Sequence, residues 1–115
     1  MRIEIRGRNV EVTDELRRHV AKRFRRVGKQ VSELATLDVE LHEERNPSIG
    51  DNQVAGATLR LKGVTLRASE ASPEMVHTIH ALAEDIRRQV KRDREKRRGR
   101  TSARRRIGRL RRREA

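Results

Sequence analysis

The chain contains no cysteine in its 115 residues, so it has no disulfide framework, thiolate metal site or cysteine nucleophile. Aromatic side chains are nearly absent, because Phe24 is the sole aromatic residue. Unpaired nucleic-acid bases stack on aromatic rings, so we do not expect a base-stacking platform. Apolar runs are far shorter than the roughly 20 residues that span a bilayer, and the N-terminus lacks the apolar segment of a signal peptide. We therefore expect no membrane partner and a cytoplasmic location.

Positive charge dominates the composition. The chain has 30 Lys and Arg against 17 Asp and Glu, which gives a formal net charge of +13. Such an excess attracts polyanions at physiological salt, and nucleic acid is the first candidate. An anionic membrane surface or an acidic protein would also attract a positively charged chain, so charge alone does not identify the partner.

The first half of the chain predicts a strand, a helix and a second strand. Ile3 and Ile5 alternate with charged residues, as in a half-buried strand. Thr13 is a suitable N-cap for a helix that ends near residues 28 to 31. Alternating residues 37 to 41 predict the second strand. The apolar stripe of the helix is formed by Leu16, Val20, Phe24, Val27 and Val31.

The second half predicts a hairpin and a long helix. A two-residue loop at Lys62-Gly63 pairs residue 61 with 64, 59 with 66 and 57 with 68, which places every apolar side chain on one face. Ser72-Pro73-Glu74 is typical of a helix start, and the helix should reach about Arg98. The apolar stripe of this helix comprises Val76, Ile79, Ala83, Ile86 and Val90, flanked by Met75 and Leu82.

This order predicts an α+β fold, β-α-β-β-β-α, with two helices packed on one face of a four-stranded sheet. The first two strands should be parallel if they are neighbours, because a helix connects them. We assign residues 1–98 to this single domain. Residues 99–115 hold eight arginines and one glutamate, and we predict that they form a basic, disordered tail.

The basic residues of the helices lie outside the apolar stripes. If both stripes face the sheet, the cations form one contiguous surface that suits a phosphate backbone. Four acidic residues cluster toward the strands, so we expect an electrically polarised molecule with an acidic sheet face. Those four are Glu4, Asp38, Glu40 and Glu43.

No active site is evident in the sequence. The carboxylates lack catalytic spacing, and no glycine-rich phosphate loop is present. His77, His80 and Glu84 could line up on one helix as metal ligands, but no fourth ligand is evident and surface histidines are the better interpretation. We expect no enzymatic activity, metal, cofactor or small-molecule substrate.

Several short segments, in order along the chain, resemble the ribosome hibernation-promoting factor family, also called ribosome-associated translation inhibitors. Together they cover about residues 1–98. The segments are Gly7-Arg8-Asn9-Val10-Glu11-Val12-Thr13 with Leu16-Arg17, then Ala57-Thr58-Leu59, Gly63 leading to Ala68-Ser69, and Arg88-Gln89-Val90.

The resemblance implies a fold similar to double-stranded RNA-binding domains. It also implies a docking site in the messenger and transfer RNA channel of the small ribosomal subunit, on 16S-type rRNA and neighbouring ribosomal proteins. Occupying that channel would block initiation and protect idle ribosomes. The basic family positions fall on Arg23, Arg26, Arg88, Arg92 and Lys96. Geometry alone adds Lys22, Lys29 and Lys91 as candidate RNA contacts.

Two departures from the family pattern concern the C-terminus. Long members carry a domain that pairs ribosomes, and the chain is too short to contain that domain. We therefore do not expect the protein to dimerise ribosomes by itself. We expect the free protein to be a monomer. The arginine-rich tail could extend along the channel. Two other hypotheses stay open: a transcription (sigma factor) modulator that binds through the acidic sheet face, and a non-specific nucleic-acid-binding protein driven by the tail.

Overall fold

The computed structural model describes the backbone of residues 1–46 and 48–114 and the side chains of residues 1–46 and 48–99. The predicted α+β class is confirmed: one four-stranded mixed sheet is combined with helices. In chain order the elements are β1 (Arg2–Arg8), α1 (Asp14–Arg23), α2 (Arg25–Gln30), β2 (Thr36–Glu43), β3 (Gln53–Leu61), β4 (Val64–Ser72) and α3 (Met75–Glu114).

The four strands lie in the order β1-β2-β3-β4. β1 and β2 are parallel, as predicted, and the other neighbouring pairs are antiparallel. The predicted hairpin register is confirmed, since residue 61 pairs with 64, 59 with 66 and 57 with 68. Gly63 has a φ of 81°, a conformation that glycine adopts without a Cβ penalty and that this tight turn requires.

Both helical stripes share one core with the sheet. Leu37, Val39 and Leu41 alternate along β2 and therefore point to the same face, where they are fully or almost fully buried. Side chains from both helical segments join them in a single cluster, so both segments pack on that face, as predicted. The helical members of the cluster include Val20, Phe24, Val27, Ile79, Leu82, Ile86 and Val90.

The first helical segment differs from the prediction of one continuous helix. It is divided at Phe24, where the backbone has φ −90° and ψ 2°, in the bridge region between helix and strand. Backbone hydrogen bonds of 3.0 Å continue on both sides, from Phe24 N to Val20 O and from Gly28 N to Phe24 O. The four-residue spacing therefore survives the break, and hydrophobic periodicity could not reveal it.

The starts of α1 and α3 are fixed by hydroxyl groups. Thr13 is the N-cap of α1, as predicted, and its Oγ1 accepts a hydrogen bond from Leu16 N at 3.2 Å. β4 extends through Ser72, so α3 begins at Met75, two residues later than the proline-based prediction. Thr78 is fully buried in the first turns of α3, and its Oγ1 donates to Gln53 O at 2.8 Å, which ties the helix to β3.

The last helix continues beyond its predicted end near Arg98, because α3 runs through Glu114 and so includes most of the predicted tail. The side chains of residues 100–115 lie outside the described ones, so the division of the chain at residue 98 and the role of the tail stay predictions. Among the described residues, no helix combines the length and the apolar character needed to cross a membrane.

We predict that Phe24→Ala lowers the free energy of unfolding by about 3–5 kcal/mol, because it opens a cavity at a fully buried aromatic ring. Urea denaturation followed by circular dichroism measures the loss. Leu34→Ala is the matched control, since this side chain is 92% exposed and its truncation should change stability by no more than about 0.5 kcal/mol. Equal losses in the two variants would contradict the described core.

We predict that Gly7→Ala also destabilises the fold, by more than about 1 kcal/mol. A Cβ at this position would lie 2.4 Å from the backbone oxygen of Val10 and 2.8 Å from Val12 Cγ2, so the turn after β1 would have to move. Gly50→Ala is the control, because no atom beyond its two neighbours in the chain lies within 4 Å of the added methyl group. Thermal unfolding of both variants tests the difference, and an unchanged melting temperature for Gly7→Ala would refute it.

Candidate nucleic-acid interface

Four of the predicted RNA-binding residues lie on the first two helices. Lys22 and Arg23 end α1, and Arg26 and Lys29 lie on α2, on either side of the break at Phe24. All four are exposed, whereas Val20, Phe24 and Val27 between them are buried. The apolar stripe thus anchors these helices to the sheet and directs the four cations to solvent.

The other four predicted residues lie on α3, in the second half of the segment whose side chains are described. Ile86 and Val90 fix the orientation of this segment because both are buried against the sheet. With about 100° per residue, Arg88, Lys91 and Arg92 then project away from the sheet, and Lys96 lies toward the side of the helix. All four are exposed.

None of these eight residues forms an ion pair within the described part of the chain, whereas several neighbouring cations do. Arg87 Nη2 lies 3.1 Å from Glu84 Oε2, and Arg97 Nε lies 3.1 Å from Asp93 Oδ2. Glu84 and Asp93 of α3 are therefore engaged by cations outside the predicted set. We call the eight residues the cationic face: Lys22, Arg23, Arg26, Lys29, Arg88, Lys91, Arg92 and Lys96.

A shallow cleft lies between the end of α2 and α3, beside Lys91 of the cationic face. It has a volume of about 230 Å³ and is lined by Gln30 of α2 and by Lys91, Arg94, Glu95 and Arg98 of α3. Arg94 and Arg98 were not among the predicted contacts. Because they follow Lys91 by three and seven residues, all three lie on the same side of α3. Only the tertiary structure shows that this side lies next to α2.

The predicted acidic sheet face is wrong. The face opposite the helices, which we call the open face, also carries arginines at alternating strand positions. Arg2 Nη2 pairs with Glu4 Oε1 at 3.2 Å, and Arg60 pairs with Asp38. Glu40 lies beside Arg6, its register partner on β1. Strand alternation in neighbouring strands brings opposite charges together here, so a modulator that binds through an acidic sheet face loses its physical basis.

The open face also contains a shallow depression of about 580 Å³, lined among others by Arg6, Glu40, His42 and Arg67. His42 Nδ1 lies 3.2 Å from the backbone oxygen of Arg8, and its Nε2 lies 3.8 Å from Glu44 Oε2. Within the described residues, no three His, Asp or Glu side chains converge as metal ligands. Nδ1 of His77, in the first turn of α3, instead lies 3.5 Å from Oε2 of Glu74, the residue that precedes the helix. These arrangements hold polar side chains against the surface of the sheet and of α3.

Sequence comparison identifies a family pattern over nearly the whole described fold. Residues 3–98 match the family described as "Sigma 54 modulation protein / S30EA ribosomal protein". The chain is 31% identical to the ribosome hibernation promoting factor of Pseudomonas putida over 96 residues, which cover 84% of this chain and 89% of that protein.

A second relative is longer. The chain is 30% identical over 97 residues to the ribosome hibernation promotion factor of a Picosynechococcus strain, and the match covers 84% of this chain. The chain spans about half the length of that relative, because the matched region is 50% of it.

Comparison of folds agrees with the sequence matches. The crystal structure of the Thermus thermophilus Protein Y N-terminal domain superposes with a TM-score of 0.69 at 27% sequence identity. The match covers 80% of this chain and 98% of that domain. The sheet and the helical segments that carry the cationic face therefore correspond to a complete domain in a solved structure.

Proposed function

The chain belongs to the Sigma 54 modulation protein / S30EA ribosomal protein family, and from this membership and its cationic face we propose that it is a ribosome hibernation factor that binds the small ribosomal subunit and inhibits translation. The names of the matched relatives support the ribosome as the partner, since those proteins are called ribosome hibernation promotion or promoting factors. The cytoplasm is the corresponding location.

The observation that carries the proposal is that the cations of the cationic face are exposed and have no ion-pair partner among the described residues. Eight exposed Lys and Arg side chains lie on two adjacent helical segments without a carboxylate partner among the described residues. Their mutual repulsion is relieved when they contact phosphates, and counterions released from the RNA add to the favourable free energy. RNA is the large polyanion of the ribosome, so the face suits the 16S-type rRNA of the small subunit.

The mechanism is steric and requires no chemical step. The cationic face contacts rRNA phosphates, which position the domain without reading a base sequence. The bound domain then occupies space that messenger and transfer RNA need in the channel of the small subunit. Neighbouring ribosomal proteins complete the binding site, and the free protein is a monomer.

The test is the double variant Arg88→Ala with Arg92→Ala. Loss of two phosphate contacts should weaken binding to purified small subunits roughly tenfold and reduce the slope of log K against log salt concentration by about 1.5. Sedimentation of fluorescently labelled protein with subunits, at several salt concentrations, measures both quantities. Because both side chains are exposed, the free energy of unfolding should change by no more than about 0.5 kcal/mol.

The matched control is Arg2→Ala with Arg67→Ala, which removes the same charge from exposed positions on the strands rather than the helices. This variant should keep most of the affinity. Equal losses in both double variants would indicate attraction by net charge alone, and salt-independent binding would contradict phosphate contacts. A chain that ends at Arg98 tests the remaining hypothesis, a non-specific nucleic-acid-binding protein driven by the tail. Such a protein would lose most of its binding when the tail is removed.

A further inference from the structure

A large aliphatic side chain is held at the surface in the turn between α2 and β2. Leu34 is 92% exposed. Ser32 orders the turn, because its Oγ accepts a hydrogen bond from Leu34 N at 3.1 Å and its backbone oxygen accepts one from Ala35 N at 3.0 Å. Leu34 therefore has a defined position although it contributes almost no burial to the core.

Leu34 borders a groove at one end of the fold. The groove has a volume of about 550 Å³ and lies between this turn, the β3–β4 hairpin and α3. Ala35 and Val90, which are 3% and 1% exposed, belong to the core and form its floor. Val31 and Leu61 also line it and are half-buried. The groove thus offers aliphatic side chains from three elements beside an exposed leucine.

The charges at the rim of the groove are mainly positive. Lys62 and Arg94 line it, are exposed and form no ion pair within the described residues. Asp93 is the acidic side chain among the lining residues, and its Oδ2 is 3.1 Å from Arg97 Nε. A ligand that enters the groove therefore meets aliphatic groups at the centre and cations at the edge.

We propose that this groove binds an acidic protein segment that inserts an aliphatic side chain beside Leu34 and places carboxylates against Lys62 and Arg94. The cations at the rim complement carboxylates, and the aliphatic floor complements an aliphatic anchor. RNA fits less well, because its phosphates would contact the cations but leave the aliphatic floor without an apolar partner, and the lining contains no aromatic ring on which a base could stack. A second copy of the chain fits less well too, because each copy has a formal net charge of +13.

The position of the groove relates it to the cationic face. Gln30 and Arg94 line both this groove and the cleft between α2 and α3. A domain bound to rRNA through its helices would present the groove beside the RNA, and the acidic segment would then belong to a neighbouring ribosomal protein. This placement on the ribosome depends on the proposed function, whereas the binding chemistry of the groove does not.

The first experiment measures peptide binding to the groove in the absence of ribosomes. The probe is a fluorescein-labelled heptapeptide of Asp and Glu with one central Leu, and the comparison peptide has Ser at the centre. We expect the Leu peptide to bind the full chain at least fivefold more tightly in fluorescence anisotropy. Leu34→Ser and Lys62→Glu should each weaken Leu-peptide binding at least fivefold.

The controls are matched in chemistry. Ile49→Ser alters the other exposed large aliphatic side chain, and Arg67→Glu reverses a charge on β4, away from the groove. Both should bind the Leu peptide as the unaltered chain does. Equal affinity for the Leu and Ser peptides, or binding that survives both Leu34→Ser and Lys62→Glu, overturns the proposal.

The second experiment places the photo-crosslinking amino acid p-benzoylphenylalanine at position 34 of the full chain bound to purified ribosomes. A crosslink to an acidic ribosomal-protein segment with an aliphatic residue supports the proposal, and Lys62→Glu should reduce its yield. A crosslink to rRNA alone, or none from protein that co-sediments with ribosomes, overturns it. Protein that does not co-sediment contradicts the proposed function instead, and the peptide measurement then decides the groove by itself.

Discussion

The packing of two apolar helical stripes on one face of the sheet is the constraint on which the other features depend. Phe24, fully buried at the junction of α1 and α2, is the largest side chain of a core that is otherwise mostly aliphatic. Because the inward positions of both helical segments are taken by apolar residues, the charged residues between them are directed outward. The cationic face is therefore a direct consequence of how the core is filled.

The distribution of ion pairs explains why this face is suited to a polyanion. Acidic side chains neutralise arginines on the open face of the sheet and at Arg87 and Arg97 on α3. Such exposed pairs add little stability, but they reduce repulsion where no ligand is expected. The cations on the outer surface of the helices lack this compensation within the described residues, so a phosphate backbone gains the full attraction. The groove beside Leu34 adds an aliphatic surface at the edge of the same region.

Most of the fold could be predicted because its determinants are local. The alternation of Leu59, Leu61, Val64 and Leu66 around Lys62-Gly63 admits one hairpin register, and the structure has it. The break at Phe24 was missed because hydrogen bonds on both sides preserve the spacing of the stripe. The late start of α3 was missed because β4 continues through Ser72. Both differences lie in the conformation of the backbone, which the periodicity of apolar side chains does not reveal.

The sequence by itself determined the amphipathic elements, the hairpin register, and the exposure of the eight candidate RNA contacts, since each follows from the spacing of neighbouring residues. Tertiary structure decided which of those residues meet. It placed Arg94 and Arg98 beside Gln30, paired Asp38 with Arg60, and assembled the groove from the turn at Leu34, the hairpin and α3. The physical reason is that these contacts join residues far apart in the chain, and their proximity depends on how helices and strands pack together.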